Sequence, residues 1–170
     1  FVLADCPGHV QYTRNTVTGV STSQVVVLLV DARNGVVDQT ITHLKVAALM
    51  GVKTVILAVN KIDLVDYSQD RFNDIAAAFT AEAEKFGVAE PIAVPISALK
   101  GDNVVERSDA MPWYTGPALL DHLENVHIAS DRNLTDVRFP ESNGAGVVVA
   151  ERDGAGLVSA AVSFDELPAA

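Results

Sequence analysis

Cysteine is almost absent: Cys6 stands alone among 170 residues. No intrachain disulfide can form, and a reducing compartment is the simplest setting for the chain. Aromatic residues make up only 6% and tryptophan occurs once, which leaves most of the core to aliphatic side chains. Basic residues are the scarce charge, 12 Lys and Arg against 22 Asp and Glu for a net charge of −10. That balance repels phosphate backbones and anionic lipid surfaces, and no local basic patch offsets it, so neither nucleic acid nor a membrane is expected as a partner. Apolar runs of membrane-spanning length are missing, as is a basic segment leading into an apolar one, so the expectation is a soluble cytoplasmic protein. What remains, 49% hydrophobic and 20% charged, is a globular chain long enough for one ordinary domain with its own core. Phe1 falls in mid-strand with no Met or leader before it, which reads as a piece of a longer protein.

Four apolar runs do not alternate with polar residues: "FVLA" at the start, "VVVLLVDA" (25–32), "KTVILAVN" (53–60) and "PIAVPIS" (91–97). Runs of this kind suit strands buried on both faces of a parallel sheet. Helical patterns lie between them. Phe72, Ile75, Ala76, Phe79, Ala83 and Phe86 step by three and four from a cap at Ser68 to a stop at Gly87. Ile41, Leu44 and Ala48 read the same way, as do Leu119, Leu120 and Leu123 behind Gly116 and Pro117, with Pro at a first helical position. Strand alternating with helix implies β-α units and a parallel α/β sheet. After about Ile128 the helical period is lost, and Val147–Ala150 with Leu157–Phe164 read as two short strands joined around Asp153 and Gly154. The division expected is 1–128 for the α/β part and 129–170 for a divergent tail that begins a β segment.

In open α/β sheets ligands bind beyond the carboxyl ends of the strands, so the residues leaving each strand carry the chemistry. The first strand ends in Asp5-Cys-Pro-Gly8-His9, the third in Asn60-Lys61-Ile-Asp63, and the fourth in Ser97-Ala98-Leu99-Lys100. The second leaves through Asp31-Ala-Arg-Asn-Gly, which reads as an ordinary turn. A carboxylate at Asp63 can accept from both the N1–H and the exocyclic amine of guanine, a donor pair that adenine does not offer. A neighbouring amide and a backbone N–H can serve the 6-oxo group, and the aliphatic stem of Lys61 can lie over the ring. At the first strand, Asp5 can orient the water shell of Mg²⁺ and Gly8 lets a backbone N–H approach a γ-phosphate. His9 can position an attacking water.

Each motif alone is weak. Asp-x-x-Gly is a common turn, and Asn-Lys-x-Asp arises by chance in roughly one chain of this length in fifty. A lone His after a turn is more often solvated or structural, and that is the reading kept for His43, inside a helical pattern. Cys6 reads as a small apolar strand-end residue, since no basic group flanks it. The order of three motifs, each at a strand exit with one or two β-α units between them, is what lifts them above chance.

Read together, "DCPGH", "NKID" and "SALKG" resemble the translation-factor-like GTPases. The surrounding "GHVQYTRNTVTGVST", "LLVDARNGVVDQT", "KIDLVDYS", "SALKGDNVV" and "MPWYTGPALLDHLE" narrow the resemblance to the GTP-hydrolysing large-subunit family of bacterial sulfate adenylyltransferase. It covers roughly residues 1–139. Translation elongation factors that deliver aminoacyl-tRNA are the alternative, and a non-catalytic subunit-contact module is a third reading; "QYTRN" and "LVDAR" with "DQT" favour the sulfur enzyme. The resemblance implies a partial P-loop-GTPase-type sheet with GTP and Mg²⁺ as cofactors. It implies that Asp5 holds Mg²⁺ through water, Gly8 touches the γ-phosphate, and His9 positions the water. It assigns guanine reading to Asn60 and Asp63, cover of base and ribose to Lys61, and support of the pocket to Ser97, Ala98 and Leu99. It further implies that GTP hydrolysis drives formation of adenylylsulfate from ATP and sulfate, and that the adenylyl transfer belongs to a separate small catalytic subunit, the expected partner.

The chain departs from the family in three places, one of them after "DVRFP" (136–140), where the family continues into a β-barrel domain and the sequence stops matching. Thr16 stands where a methionine is usual, and no Gly-x-x-x-x-Gly-Lys-Ser/Thr occurs; "GVKT" at 51–54 leads into a strand rather than a helix. Since the triphosphate is normally held by that loop, the 170 residues alone are expected neither to hydrolyse GTP nor to bind it tightly with Mg²⁺. Calorimetric titration of the 170-residue chain with GTP and Mg²⁺ checks this, and sub-micromolar binding would contradict it.

Overall fold

The computed structural model describes residues 2–7, 20, 23–126 and 146–151, with backbone only for 2–7 and 146–151. Its strands are β1 (Val2–Pro7), β2 (Val25–Asp31), β3 (Thr54–Asn60), β4 (Ile92–Pro95) and β5 (Gly146–Glu151). Its full-length helices are α1 (Asp38–Leu49), α2 (Gln69–Lys85) and α3 (Leu119–Asn125), and a short 3-10 turn spans Ile62–Val65. All strand pairs are parallel, in the order β1-β5-β2-β3-β4.

The unbroken apolar runs follow from burial on both faces. Val26, Leu28 and Val30 of β2, with Val55, Leu57 and Val59 of β3, face one core together with Leu44 of α1 and Phe72, Ile75 and Phe79 of α2. Their neighbours Val25, Val27, Leu29, Ile56 and Ala58 face a second core, against which Leu119 and Leu123 of α3 pack. Two-sided burial is what a parallel sheet with crossover helices demands.

The helix signals hold in detail for α2, where the Ser68 hydroxyl accepts from the Arg71 N–H at 3.2 Å. Gly87 follows at φ +75°, the left-handed conformation that stops a helix at little cost to glycine. At α1, His43 is buried and hydrogen-bonded to Gln39 over 2.9 Å, a structural place. Pro117 stands one residue before the α3 cap, Ala118, rather than in its first turn. The strand read at 147–150 forms, but between β1 and β2. Leu157–Phe164, read as its hairpin partner, lie outside the described residues.

Leu57 is fully buried at the centre of the first core. Leu57→Ala is expected to lower unfolding free energy by about 2–5 kcal/mol, the range for a large-to-small change in a packed core. Urea denaturation measures it; a loss under about 1 kcal/mol would mean that this layer is not closely packed.

Candidate functional site

With every strand parallel, Asp31, Asn60 and the residues after β4 come out on one edge. Asn60 ends β3 with its side chain buried. Its Oδ1 accepts from the Lys61 N–H at 2.7 Å and from the Ala98 N–H at 3.0 Å. One amide oxygen therefore joins the loop after β3 to the loop after β4. Two backbone bonds run beside it: the Ile62 N–H donates to the Ile96 carbonyl at 3.2 Å, and the Ile96 N–H to the Val59 carbonyl at 2.9 Å. The chain turns sharply at Lys61, which takes the left-handed conformation at φ 61°, and enters the 3-10 turn that holds Asp63. The Asp63 side chain is half-buried, and among the described residues no hydrogen bond occupies its carboxylate.

Ser97 is fully buried and bends the second loop: its carbonyl accepts from Lys100 and Gly101, and its hydroxyl from the Lys100 N–H at 3.3 Å. Ala98 and Leu99 ride on that bend, Ala98 presenting its N–H to Asn60 and Leu99 its side chain to solvent. The structure thus brings Asn60, Lys61, Asp63, Ser97, Ala98 and Leu99 into one place. Asp5 lies in β1, opposite Val149 of β5, with its side chain outside the description; Gly8 and His9 lie outside the described residues.

The turn after β2 is not ordinary. Asp31 is 5% exposed, and its carboxylate is gripped by the Arg33 guanidinium and lies 3.3 Å from the Lys61 ammonium. Hydrogen bonds from Arg33 are the main reason its carboxyl is held down to about 2, with Lys61 adding to the effect against the opposing cost of burial. Arg71 of α2 holds this turn from behind, donating to the Ala32 carbonyl at 2.8 Å and the Arg33 carbonyl at 2.9 Å. The signal in the sequence is an Asp that closes an apolar run two residues before an Arg, and it says nothing of the lysine that is 30 residues away.

A second brace lies outside the loops. The Tyr67 hydroxyl donates to Asp102 at 2.9 Å and accepts from the Lys100 ammonium at 3.1 Å, while the Ser108 hydroxyl donates to the other Asp102 oxygen at 2.6 Å. The Tyr67 hydroxyl keeps Lys100 protonated above the usual lysine range. Trp113, in the "MPWY" segment, donates its indole N–H to the Tyr67 carbonyl at 3.0 Å and packs against Phe72. Among the described residues, no cluster of three or more His, Cys, Asp or Glu side chains forms a metal-binding group, and no helix is long and apolar enough to cross a membrane.

Residues 1–129 match the family described as the elongation factor Tu GTP binding domain. Over 140 residues, 82% of the chain, the sequence is 54% identical to the bifunctional enzyme CysN/CysC of Mycobacterium tuberculosis and covers 23% of that protein. It is 53% identical to sulfate adenylyltransferase subunit 1 of Bacteroides fragilis, again over 82% of the chain and 29% of the relative. The chain therefore spans under a third of the length of the curated relatives it matches. Among solved structures it resembles sup35 complexed with GMPPNP, at TM-score 0.60 and 21% identity over 74% of this chain and 44% of that one. It also resembles a bacterial selenocysteine-specific elongation factor, at TM-score 0.53 and 24% identity over 70% and 19% of the two chains. At these identities the two structures speak for the fold alone.

The buried Asp31 makes acid stability predictable. A carboxyl held at about 2, against about 4 when unfolded, contributes stability that is present above pH 4 and lost as pH falls toward 2. The contribution is on the order of 2 kcal/mol. Asp31→Asn should flatten the dependence of stability on pH between about 4 and 2. Urea midpoints measured across that window test it, and an unchanged slope would refute the role of Asp31.

Proposed function

The chain belongs to the elongation factor Tu GTP-binding domain family, and on that premise we propose that it supplies the guanine-reading part of a sulfate adenylyltransferase GTPase subunit. The observation that carries this reading is the Asn60 amide oxygen bonded to both Lys61 and Ala98, with the Asp63 carboxylate left free of described partners beside it. That arrangement presents one acceptor-only group at a fixed place, which suits the adjacent N1–H and N2–H₂ donors of guanine. Lys61 covers the base face and the 97–99 loop closes the pocket. Over the 140 aligned residues more than half are identical to those of a sulfate adenylyltransferase subunit 1, and this favours that reading over a carrier of aminoacyl-tRNA.

At the phosphate end, the reading assigns Asp5, in the second half of β1, a contact to Mg²⁺ through water, and Gly8 a backbone N–H toward the γ-phosphate. A carboxylate suits this indirect role, and Mg²⁺ when bound would neutralise charge on the β- and γ-phosphates. His9 orients the attacking water and is the catalytic residue of the proposal. In the whole protein, GTP hydrolysis drives formation of adenylylsulfate from ATP and sulfate, with a small catalytic subunit as partner and the cytoplasm as location.

Asp63→Asn, made in the protein at its native length, should weaken GTP and favour xanthosine triphosphate. The amide donates to the 2-oxo group that a carboxylate repels, and a relative shift of roughly 10- to 100-fold is expected for one two-point contact. Competition of the two nucleotides against a fluorescent analogue reads it directly. A preference for GTP that does not move would rule out Asp63 as the base-reading group.

A further inference from the structure

The Asp31 carboxylate is already satisfied without Lys61. Arg33 donates to it from its backbone N–H at 2.9 Å and from its guanidinium at 3.0 Å and 3.2 Å, with a further Nη2 contact. One cation suffices to bury one carboxylate, yet a second approaches to 3.3 Å and leaves the Lys61 side chain only 21% exposed. Fixing a lysine side chain costs rotamer entropy. Lys61 also carries a left-handed backbone at φ 61°. Lys61 is thus restrained at both its backbone and its ammonium, as residues at functional sites often are. The register explains how: Asp31 lies opposite Asn60, so the carboxylate on β2 sits across from the residue before Lys61. The stem then runs from the end of β3 toward the end of β2, along the edge where Asp63 waits.

We propose that Asp31 is a positioning residue for purine nucleotide binding: it anchors the Lys61 ammonium so that the Lys61 stem is laid out in advance as a platform for the face of the base. This inference rests on the guanine-site reading above. A platform touches the face of a purine and is indifferent to its edge, whereas Asp63 reads the 2-amino group. Loss of Asp31 should therefore weaken guanine and hypoxanthine nucleotides equally, which a general collapse of the loop would not do.

The test is stopped-flow dissociation of methylanthraniloyl GDP and IDP from the protein at its native length. Asp31→Asn should speed release of both by about 5- to 20-fold with their ratio unchanged, since affinity changes appear mainly in off-rates. Lys61→Met should do the same, and the double variant should be no faster than either single one. Off-rates equal to wild type, effects that add in the double variant, or a collapse of the GDP-to-IDP ratio would each overturn the proposal. Failure of the wild type to bind either nucleotide would remove the site reading itself and this inference with it. If Asp31→Asn unfolds, nitrogen-15 spectra of the nucleotide-free wild type decide the matter. A Lys61 ammonium with slowed hydrogen exchange supports the anchor, and exchange like that of an exposed lysine rejects it.

Discussion

One side-chain oxygen holds the candidate site together. Asn60 Oδ1 takes the N–H of the residue after it and the N–H of Ala98, 38 positions on. Both are backbone donors at strand exits, where the sheet ladder no longer satisfies them, and a buried unpaired N–H costs as much as a lost hydrogen bond. Asparagine suits the position because its carbonyl offers two lone pairs in a short side chain. Aspartate would place a second charge in a buried spot beside Asp31, and alanine would orphan both donors. The left-handed turn at Lys61, the 3-10 turn that carries Asp63 and the bend at Ser97 all inherit their placement from this bond.

The sheet sets the frame in which that bond can form. Parallel strands deliver their carboxyl ends to one edge, so residues distant in sequence arrive side by side only because β2, β3 and β4 are neighbours in order. The register then decides the partners: Asp31 stands opposite Asn60, which is why the carboxylate that ends β2 meets the lysine that follows β3. A slip of one residue would turn Asp31 to the other face of the sheet and break the contact. The two aliphatic cores that fix the register therefore also fix the chemistry at the edge.

The parts of this arrangement that were legible in the sequence are those written in local pattern. Continuous Val and Leu runs announced buried parallel strands, the Phe72–Phe79 periodicity announced α2, and Ser68 and Gly87 its ends. Strand exits pointed to Asn60, Lys61, Asp63 and Ser97. Contacts between separate segments carry no such pattern, and there the sequence misled. Asp31 looked like a turn residue because its value lies in Lys61, and Tyr67 gave no hint of Asp102 or Trp113. The strand at 146–151 was visible from its valines, but its seat between β1 and β2 depends on which edges are unpaired elsewhere, a long-range matter that a run of valines does not encode.

Charge poses the last question, since the ligand proposed for a chain of net charge −10 is itself a polyanion. Net charge acts over distance, and physiological salt confines it to about 8 Å. Exposed acids on α2, such as Asp70, Asp74 and Glu84, belong to a solvated helix surface. At the strand exits the local order is different. Arg33, Lys61, Arg71 and Lys100 gather there, and the carboxylates among them are occupied: Asp31 by Arg33 and Lys61, and Asp102 by Tyr67 and Ser108. Asp63 keeps its carboxylate free of described hydrogen bonds, and in the proposed reading it meets a guanine edge, a neutral donor pair that needs an acceptor. The strand exits thus carry a local balance of charge, with cations set against carboxylates and a tyrosine hydroxyl, that the overall charge of −10 conceals.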